Sequence, residues 1–139
     1  MSDSQRFPVA AHALAYLAHK NATSPEAAVS SAELAGSIAT NPVVVRRVTA
    51  LLAKAGLIAT RPGASGGAWL LHPAGDIGLD SVLKAVNGGA HFGAPRPGSK
   101  DCPVGKRLPT VVKAAITAAD EAAARQLART TVADLLATE

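Results

Sequence analysis

Residues 41–58, NPVVVRRVTALLAKAGLI, are the most informative part of the sequence, because they contain a helix start, a two-faced helix and a helix end. Asn41 is a good N-cap, and Pro42 suits the first helical position, where its missing N–H costs nothing. Gly56 is expected to end the helix after Ala55, because glycine readily adopts the left-handed cap conformation. The stretch therefore predicts one helix with defined ends.

The two faces of this predicted helix differ in polarity. The residues expected to form its apolar stripe are Val44, Val48, Leu51, Leu52 and Ala55. The residues expected on the opposite side are Val43, Arg46, Arg47, Ala50 and Lys54. A DNA recognition helix needs this arrangement, because one face holds it in the core while the other presents guanidinium groups to phosphates and guanine edges. A solvated amphipathic helix is the competing interpretation.

The sequence on either side of this helix supplies the other elements of a winged helix-turn-helix. Apolar residues at helical spacing predict a first helix over about residues 4–19. Ser30 and Glu33 have the pattern of a capping box, which would open a short second helix. After the two-faced helix, strand-like runs over residues 57–60 and 68–71 are joined by a glycine-rich turn, which predicts a β-hairpin wing.

The C-terminal half predicts helices separated by one long loop. A helix over residues 79–87 is followed by residues 88–103, which contain no hydrophobic period. A long alanine-rich helix then begins at Val104 or at Pro109 and ends near Ala128. Its start is ambiguous because a proline either begins a helix or kinks it.

The long helix is expected to pair two copies of the chain. Its small-residue face consists of Ala115, Ile116, Ala119, Ala122 and Ala123. Thr131 and Asp134 form a second capping box, which opens a short last helix. The predicted fold is mainly α with a small β-hairpin wing: a winged helix-turn-helix over residues 1–75, and a linker helix, a loop and a long C-terminal dimerisation helix over residues 76–139, all in one compact domain.

Composition and charge limit the function classes. The chain of 139 residues fits one domain and is too short for a TIM barrel or a protein kinase. Aromatic residues are 3%, so the core must be built from aliphatic side chains. The formal charge of +4 favours an anionic partner, and residues 34–75 contain four basic residues and no acidic one. The absence of a long apolar window predicts no transmembrane helix and a cytoplasmic protein.

A resemblance to a known family becomes specific at this point. The segments that carry it are residues 41–48, 51–58, 63, 66–70, 77–82 and 130–136. They closely resemble the Rrf-two (BadM-type) family of bacterial transcriptional regulators. The resemblance implies a homodimer paired through the long helix, with two winged heads on a palindromic operator. It also implies that Arg46 and Arg47 contact DNA and that residues 65–68 form the wing tip.

The resemblance and the charge pattern together predict a sequence-specific DNA-binding regulator, acting as a homodimeric repressor without catalytic activity. Its expected partners are double-stranded DNA, a second copy of the chain and an unidentified small-molecule or redox effector. The expected DNA-binding residues are Asn41, Val43, Arg46, Arg47, Lys54, Arg61, Ser65, Gly66 and Gly67. The main alternative is a winged-helix module that docks protein instead of DNA, since a fold alone does not fix function.

Two further motifs have simpler structural interpretations. Residues 63–67 match the G-x-S-x-G pattern of serine hydrolases, but a returning strand follows them, and that chemistry needs a strand-to-helix turn over a large sheet. Cys102 lies among Lys100, Lys106 and Arg107, which favours a redox-sensing thiol; a small residue at a helix start is the simpler interpretation. A metal site built from His91, Cys102 and the partner subunit is a lesser alternative.

The cysteine count separates this chain from its iron-containing relatives. Some family members hold an iron–sulfur cluster on three cysteines in the loop before the long helix, whereas this chain has Cys102 alone. We therefore expect no cofactor and no metal site. Purified protein should be colourless, with no stoichiometric iron by elemental analysis. A visible absorption band that accompanies one iron or more per chain would contradict this prediction.

Overall fold

The computed structural model describes residues 5–88 and 91–137, which form a mainly helical chain with one hairpin. In chain order, the elements are α1 (Arg6–His19), α2 (Ser31–Ile38), α3 (Pro42–Lys54), β1 (Ile58–Arg61), β2 (Gly67–Leu70), α4 (Leu79–Asn87), α5 (Pro103–Leu127) and α6 (Val132–Ala137). Short 3₁₀ turns lie at Pro25–Ala27 and Ala74–Asp76. The predicted fold class is confirmed. The predicted helix start at residue 4, part of the loop over 88–103 and both chain ends lie outside the described residues.

An aliphatic core joins α1, α2, α3, the hairpin, α4 and α6. Its largest fully buried side chains are Leu14, Leu17, Leu34, Val45, Val48, Leu52, Ile58, Ile77, Val82 and Val132. Full burial of one such side chain stabilises the fold by about 1.5–3 kcal/mol. The aromatic residues Phe7, Tyr16 and Trp69 are only partly buried at the edge of this core. The centre of the core is therefore aliphatic, as predicted from the low aromatic content of the sequence.

Helix α3 has the predicted ends but a different buried face. The Val43 amide donates to Asn41 Oδ1 at 2.8 Å, and Gly56 has a φ of +80° after the last turn. The buried residues are Val45, Val48, Thr49 and Leu52, whereas Val44 is half-buried and Ala55 is exposed. The predicted stripe was therefore wrong at both ends. Because Val43, Val44 and Val45 are consecutive, hydropathy alone does not show which of them faces the core. Packing of α3 against α1, α2, α4 and β1 buries Val45.

The two predicted capping boxes differ in the structure. At α6 the box is complete: the Asp134 amide donates to Thr131 Oγ1 at 3.2 Å, and the Thr131 amide donates to Asp134 Oδ2 at 2.9 Å. At α2 the Glu33 amide donates to Ser30 Oγ at 3.1 Å, but the Glu33 carboxylate accepts from the Tyr16 hydroxyl at 2.8 Å. The carboxylate thus joins α2 to α1 across the fold instead of closing its own cap.

Helix α5 begins at Pro103, with Cys102 as its N-cap, so Pro109 lies inside it. Its 25 residues span about 37 Å at 1.5 Å per residue, and none of them is buried. The preceding segment runs back along the helix, because the His91 amide donates to Asp120 Oδ1 at 3.1 Å while Gly98 lies against Gly105. Helix α5 packs on α4, and its Leu127 packs against the core, but most of its residues remain exposed in the described part of the chain.

The hydrogen bond between Tyr16 and Glu33 generates a prediction about alkaline pH. Donation to the Glu33 carboxylate, then burial, raises the pKa of Tyr16 above its ordinary value of 10.0. This contribution to stability is fully present below pH 10.0, and it is lost as the pH rises through the folded-state pKa. Because the chain has one tyrosine, tyrosinate absorbance should give a midpoint above 10.0, and Glu33→Gln should lower it. Circular dichroism should confirm that the fold survives the titration. An identical midpoint in the two proteins would contradict the assignment.

Candidate nucleic-acid interface

The outward face of α3 is the strongest candidate surface. Helices α2 and α3 are joined by a short turn, in which Ala39 has a φ of +62° and the Thr40 amide donates to the Ala35 carbonyl at 3.0 Å. Burial of the opposite face of α3 fixes its rotation about its own axis. Arg46, Arg47 and the other residues predicted on the polar face are exposed, as expected.

A groove of about 490 Å³ separates α3 from the hairpin. Arg46 lines it from α3, and Arg61 lines it from the end of β1, so the fold brings these two predicted residues together. Ser31 and Thr60 also line the groove, and sequence reasoning did not single them out. Their positions depend on how α2 and β1 pack, and nothing in their residue type distinguishes them from other hydroxyl residues in the chain.

The other two basic residues of α3, Arg47 and Lys54, do not line this groove. Lys54, in the last turn, lines a second depression between α3 and α4, together with Lys84. Lys84 was not predicted, because α4 was interpreted as a linker helix. Two ammonium groups on neighbouring helices create a second positive patch at this end of α3, where a phosphate would be attracted.

The hairpin is anchored on both sides of β2. Strands β1 and β2 pair in antiparallel register from Ile58 opposite Leu70 to Arg61 opposite Gly67. On its other side, Ala68 exchanges two backbone hydrogen bonds with Val29, at 2.8 and 2.9 Å. Strand β2 is therefore held between β1 on one side and the isolated bridge to Val29 on the other.

The wing glycines are required by contacts within the chain. A Cβ on Gly66 would overlap the Arg61 carbonyl oxygen, and a Cβ on Gly67, whose φ is +151°, would overlap the Val29 carbonyl oxygen. Gly66 is buried and Gly67 belongs to β2, so the exposed part of the turn is residues 62–65. The predicted wing tip covered residues 65–68. The exposed turn instead lies toward the N-terminus and ends at Ser65.

Arg61 makes contacts that the sequence did not indicate. Its Nη2 donates to the Ser65 carbonyl at 3.1 Å and to the Pro25 carbonyl at 3.3 Å. The adjacent Glu26 carboxyl has a pKa below its ordinary value, because its own backbone amide donates to it, then Ser24, with a smaller contribution from the charge of Arg61. The guanidinium therefore joins the wing turn to the connection between α1 and α2.

The cysteine and histidine side chains do not assemble a metal site among the described residues. Cys102 is exposed, and its Sγ accepts from the Gly105 amide at 3.4 Å as the cap of α5. His12 Nε2 lies 3.0 Å from Ser37 Oγ, and His72 Nε2 lies 3.0 Å from the Gly56 carbonyl. Within the described residues, these side chains do not bring together three ligands for an iron ion.

Two other predictions concern activity and membranes. Residues 63–67 lie in the turn of an antiparallel hairpin, so the serine of the hydrolase-like pattern has no strand-to-helix turn beneath it. In the described part of the chain, no helix has the length and apolarity needed to cross a membrane.

Comparison with known proteins places this architecture in a family. Residues 3–138 match the Rrf2 family, which is described as an iron-dependent transcriptional regulator. YwnA of Bacillus subtilis (strain 168), classed as an HTH-type transcriptional regulator, is 32% identical over 134 residues, which are 96% of each chain.

Solved structures agree with this match. A protein classed as DNA-binding superposes with a TM-score of 0.71 at 32% identity, covering 94% of this chain and 98% of the other. A protein from Lactobacillus plantarum, classed as a transcriptional regulator, gives 0.74 at 27% identity, covering 96% and 88%. The two-faced α3, the hairpin beside it and these matches lead to one conclusion. The chain belongs to the Rrf2 family of transcriptional regulators and has that family's DNA-binding fold.

Proposed function

We propose that this protein is a sequence-specific repressor that binds a palindromic operator as a homodimer. The observation that carries the proposal is the exposed arginine pair of α3, on a helix whose other face is buried and beside which the hairpin projects. Helix α3 would enter the major groove, where Arg46 and Arg47 reach base edges or phosphates. Residues 34–75 contain no carboxylate that would repel DNA from this surface.

The other proposed contacts fit positions around α3. Asn41 uses its Oδ1 to cap the helix, which leaves its amide N–H groups available to a phosphate. Val43 is exposed at the start of the helix, where it can contact a thymine methyl group. Lys54 would bind phosphate at the other end of the helix, and Ser65 would do so from the wing turn. Most phosphate contacts position the protein, whereas base contacts specify the sequence.

The dimer is proposed from the surface of α5. The exposed large apolar residues on its N-terminal half are Val104, Leu108, Val111 and Val112, which recur at helical spacing and extend toward the small-residue face predicted from the sequence. Within that face, Ile116, Ala119 and Ala123 are half-buried while Ala115 and Ala122 are exposed. A helix of 25 residues with no buried side chain is a surface that a second copy would cover.

The arginine pair gives the first test of this function. Arg46→Ala or Arg47→Ala should weaken binding to DNA selected from a random pool by about 1–3 kcal/mol where the residue contacts a base, and relax specificity at that base. Where it contacts phosphate, affinity should fall for all sequences and the salt dependence should decrease. Gel-shift titrations measure both effects.

The matched control for this test is Arg129→Ala, which removes the same charge from an exposed position after α5. It should leave affinity nearly unchanged. Unaltered binding by the Arg46→Ala/Arg47→Ala double variant would defeat the assignment of α3. Wild-type protein that selects no DNA sequence at all would favour the protein-docking module instead.

The α5 surface gives the second test. Val111→Glu or Ala119→Glu should place like charges across the twofold axis and weaken dimerisation by about a hundredfold, or about 2.7 kcal/mol. Val111 is 53% exposed in one chain, so its replacement should not unfold the protomer. Light scattering at micromolar concentration measures the mass. Thr117→Glu adds the same charge on the opposite side of α5 and should remain dimeric; a monomeric wild type would refute the proposal.

A further inference from the structure

We propose that Arg61 is a positioning residue, which holds the wing turn in place and does not contact the DNA backbone. This inference rests on the proposed DNA-binding function. In a basic groove beside a recognition helix, an arginine would ordinarily be assigned to phosphate binding. The geometry assigns it differently, because its Nη2 is directed at two backbone carbonyls of the chain itself, those of Pro25 and Ser65.

The two acceptors belong to parts of the chain that are distant in sequence. Ser65 is four residues after Arg61, on the far side of the wing turn, whereas Pro25 lies 36 residues earlier, in the connection between α1 and α2. Pro25 begins a 3₁₀ turn that packs against β2. One guanidinium therefore ties the exposed turn to a part of the fold that the core already fixes.

The turn needs such a tie because little else holds it. The hairpin has four residue pairs, and a two-stranded hairpin of this size is marginally stable by itself. The bonds of Ala68 to Val29 and of Leu70 to Ala22 secure β2 at its base. Beyond Arg61, the Gly66 amide donates to the Gly63 carbonyl at 3.0 Å. Loss of the Arg61 bonds should therefore loosen the turn and leave the base of the wing intact.

The charge distribution makes the two roles experimentally separable. Residues 62–67 carry no charged side chain. Displacement of the wing turn therefore leaves the number of neutralised phosphates unchanged, apart from any phosphate that Arg61 itself binds. Each neutralised phosphate contributes about 0.9 to the slope of log affinity against log salt concentration. A positioning role therefore predicts lower affinity at an unchanged slope, whereas a phosphate contact predicts a smaller slope.

Two substitutions distinguish these roles. Arg61→Gln removes both the positive charge and the forked N–H donors of the guanidinium. Arg61→Lys keeps the charge, but the shorter side chain ends in one ammonium group. Both should weaken binding to the selected DNA by about three- to tenfold, as expected for the loss of hydrogen bonds, with the wild-type slope. Arg129→Gln is the charge-matched control and should bind like wild type.

Amide exchange in the free protein tests the tie without DNA. In both Arg61 variants, the Gly66 amide should exchange about three- to tenfold faster, while the Ala68 amide, which is bonded to Val29, should keep its wild-type rate. Unchanged Gly66 exchange would overturn the proposal. A second result would also overturn it. In that result, the slope of log affinity against log salt concentration falls by about one for each Arg61 replaced in Arg61→Gln, and Arg61→Lys restores the affinity. If the wild type binds no DNA, the exchange result alone decides whether Arg61 holds the turn.

Discussion

Burial of one face of α3 organises both the core and the charged surface of this protein. Val45, Val48 and Leu52 are fully buried where α3 meets α1, α2, α4 and β1, and this packing fixes the rotation of the helix. Arg46 and Arg47 then have no alternative but to project outward. The same contacts that stabilise the domain thus present its charged surface, so a substitution in this core would change both stability and DNA affinity.

The wing is held at its base by burial of Ile58 and Leu70 and, toward its turn, by backbone contacts. Gly67 allows β2 to pass close to Val29, and Gly66 allows the turn to fold onto the Arg61 carbonyl. Because residues 62–65 are exposed, the turn of the hairpin depends on Arg61 for its position, whereas the strands are stabilised at their base. The hydrogen bond from Tyr16 to Glu33 holds α2 against α1 in the same way, by joining elements across the fold.

Helix α5 is stabilised differently from the other described α-helices and strands, each of which has at least one buried residue. It contacts α4, and the segment over residues 91–102 returns along it, yet none of its residues is buried. Apolar side chains such as Val104, which is 61% exposed, remain largely in contact with solvent in one protomer. Pairing of two such helices would bury this surface and set the separation of the two α3 helices, so operator spacing would follow from α5.

Apart from the start of α5, which lies at Pro103, the sequence determined the elements and approximately their ends, because caps and glycines act within a few residues: Asn41 begins α3, Gly56 ends it, and α4 spans the predicted range. It also determined that the outward face of α3 is basic. Only the tertiary structure decided that Val45 and not Val44 is buried, that Glu33 bonds to Tyr16 and not to its own cap, and that Arg61 reaches Pro25. Each of these outcomes depends on a neighbour distant in sequence, and local pattern carries no information about such neighbours.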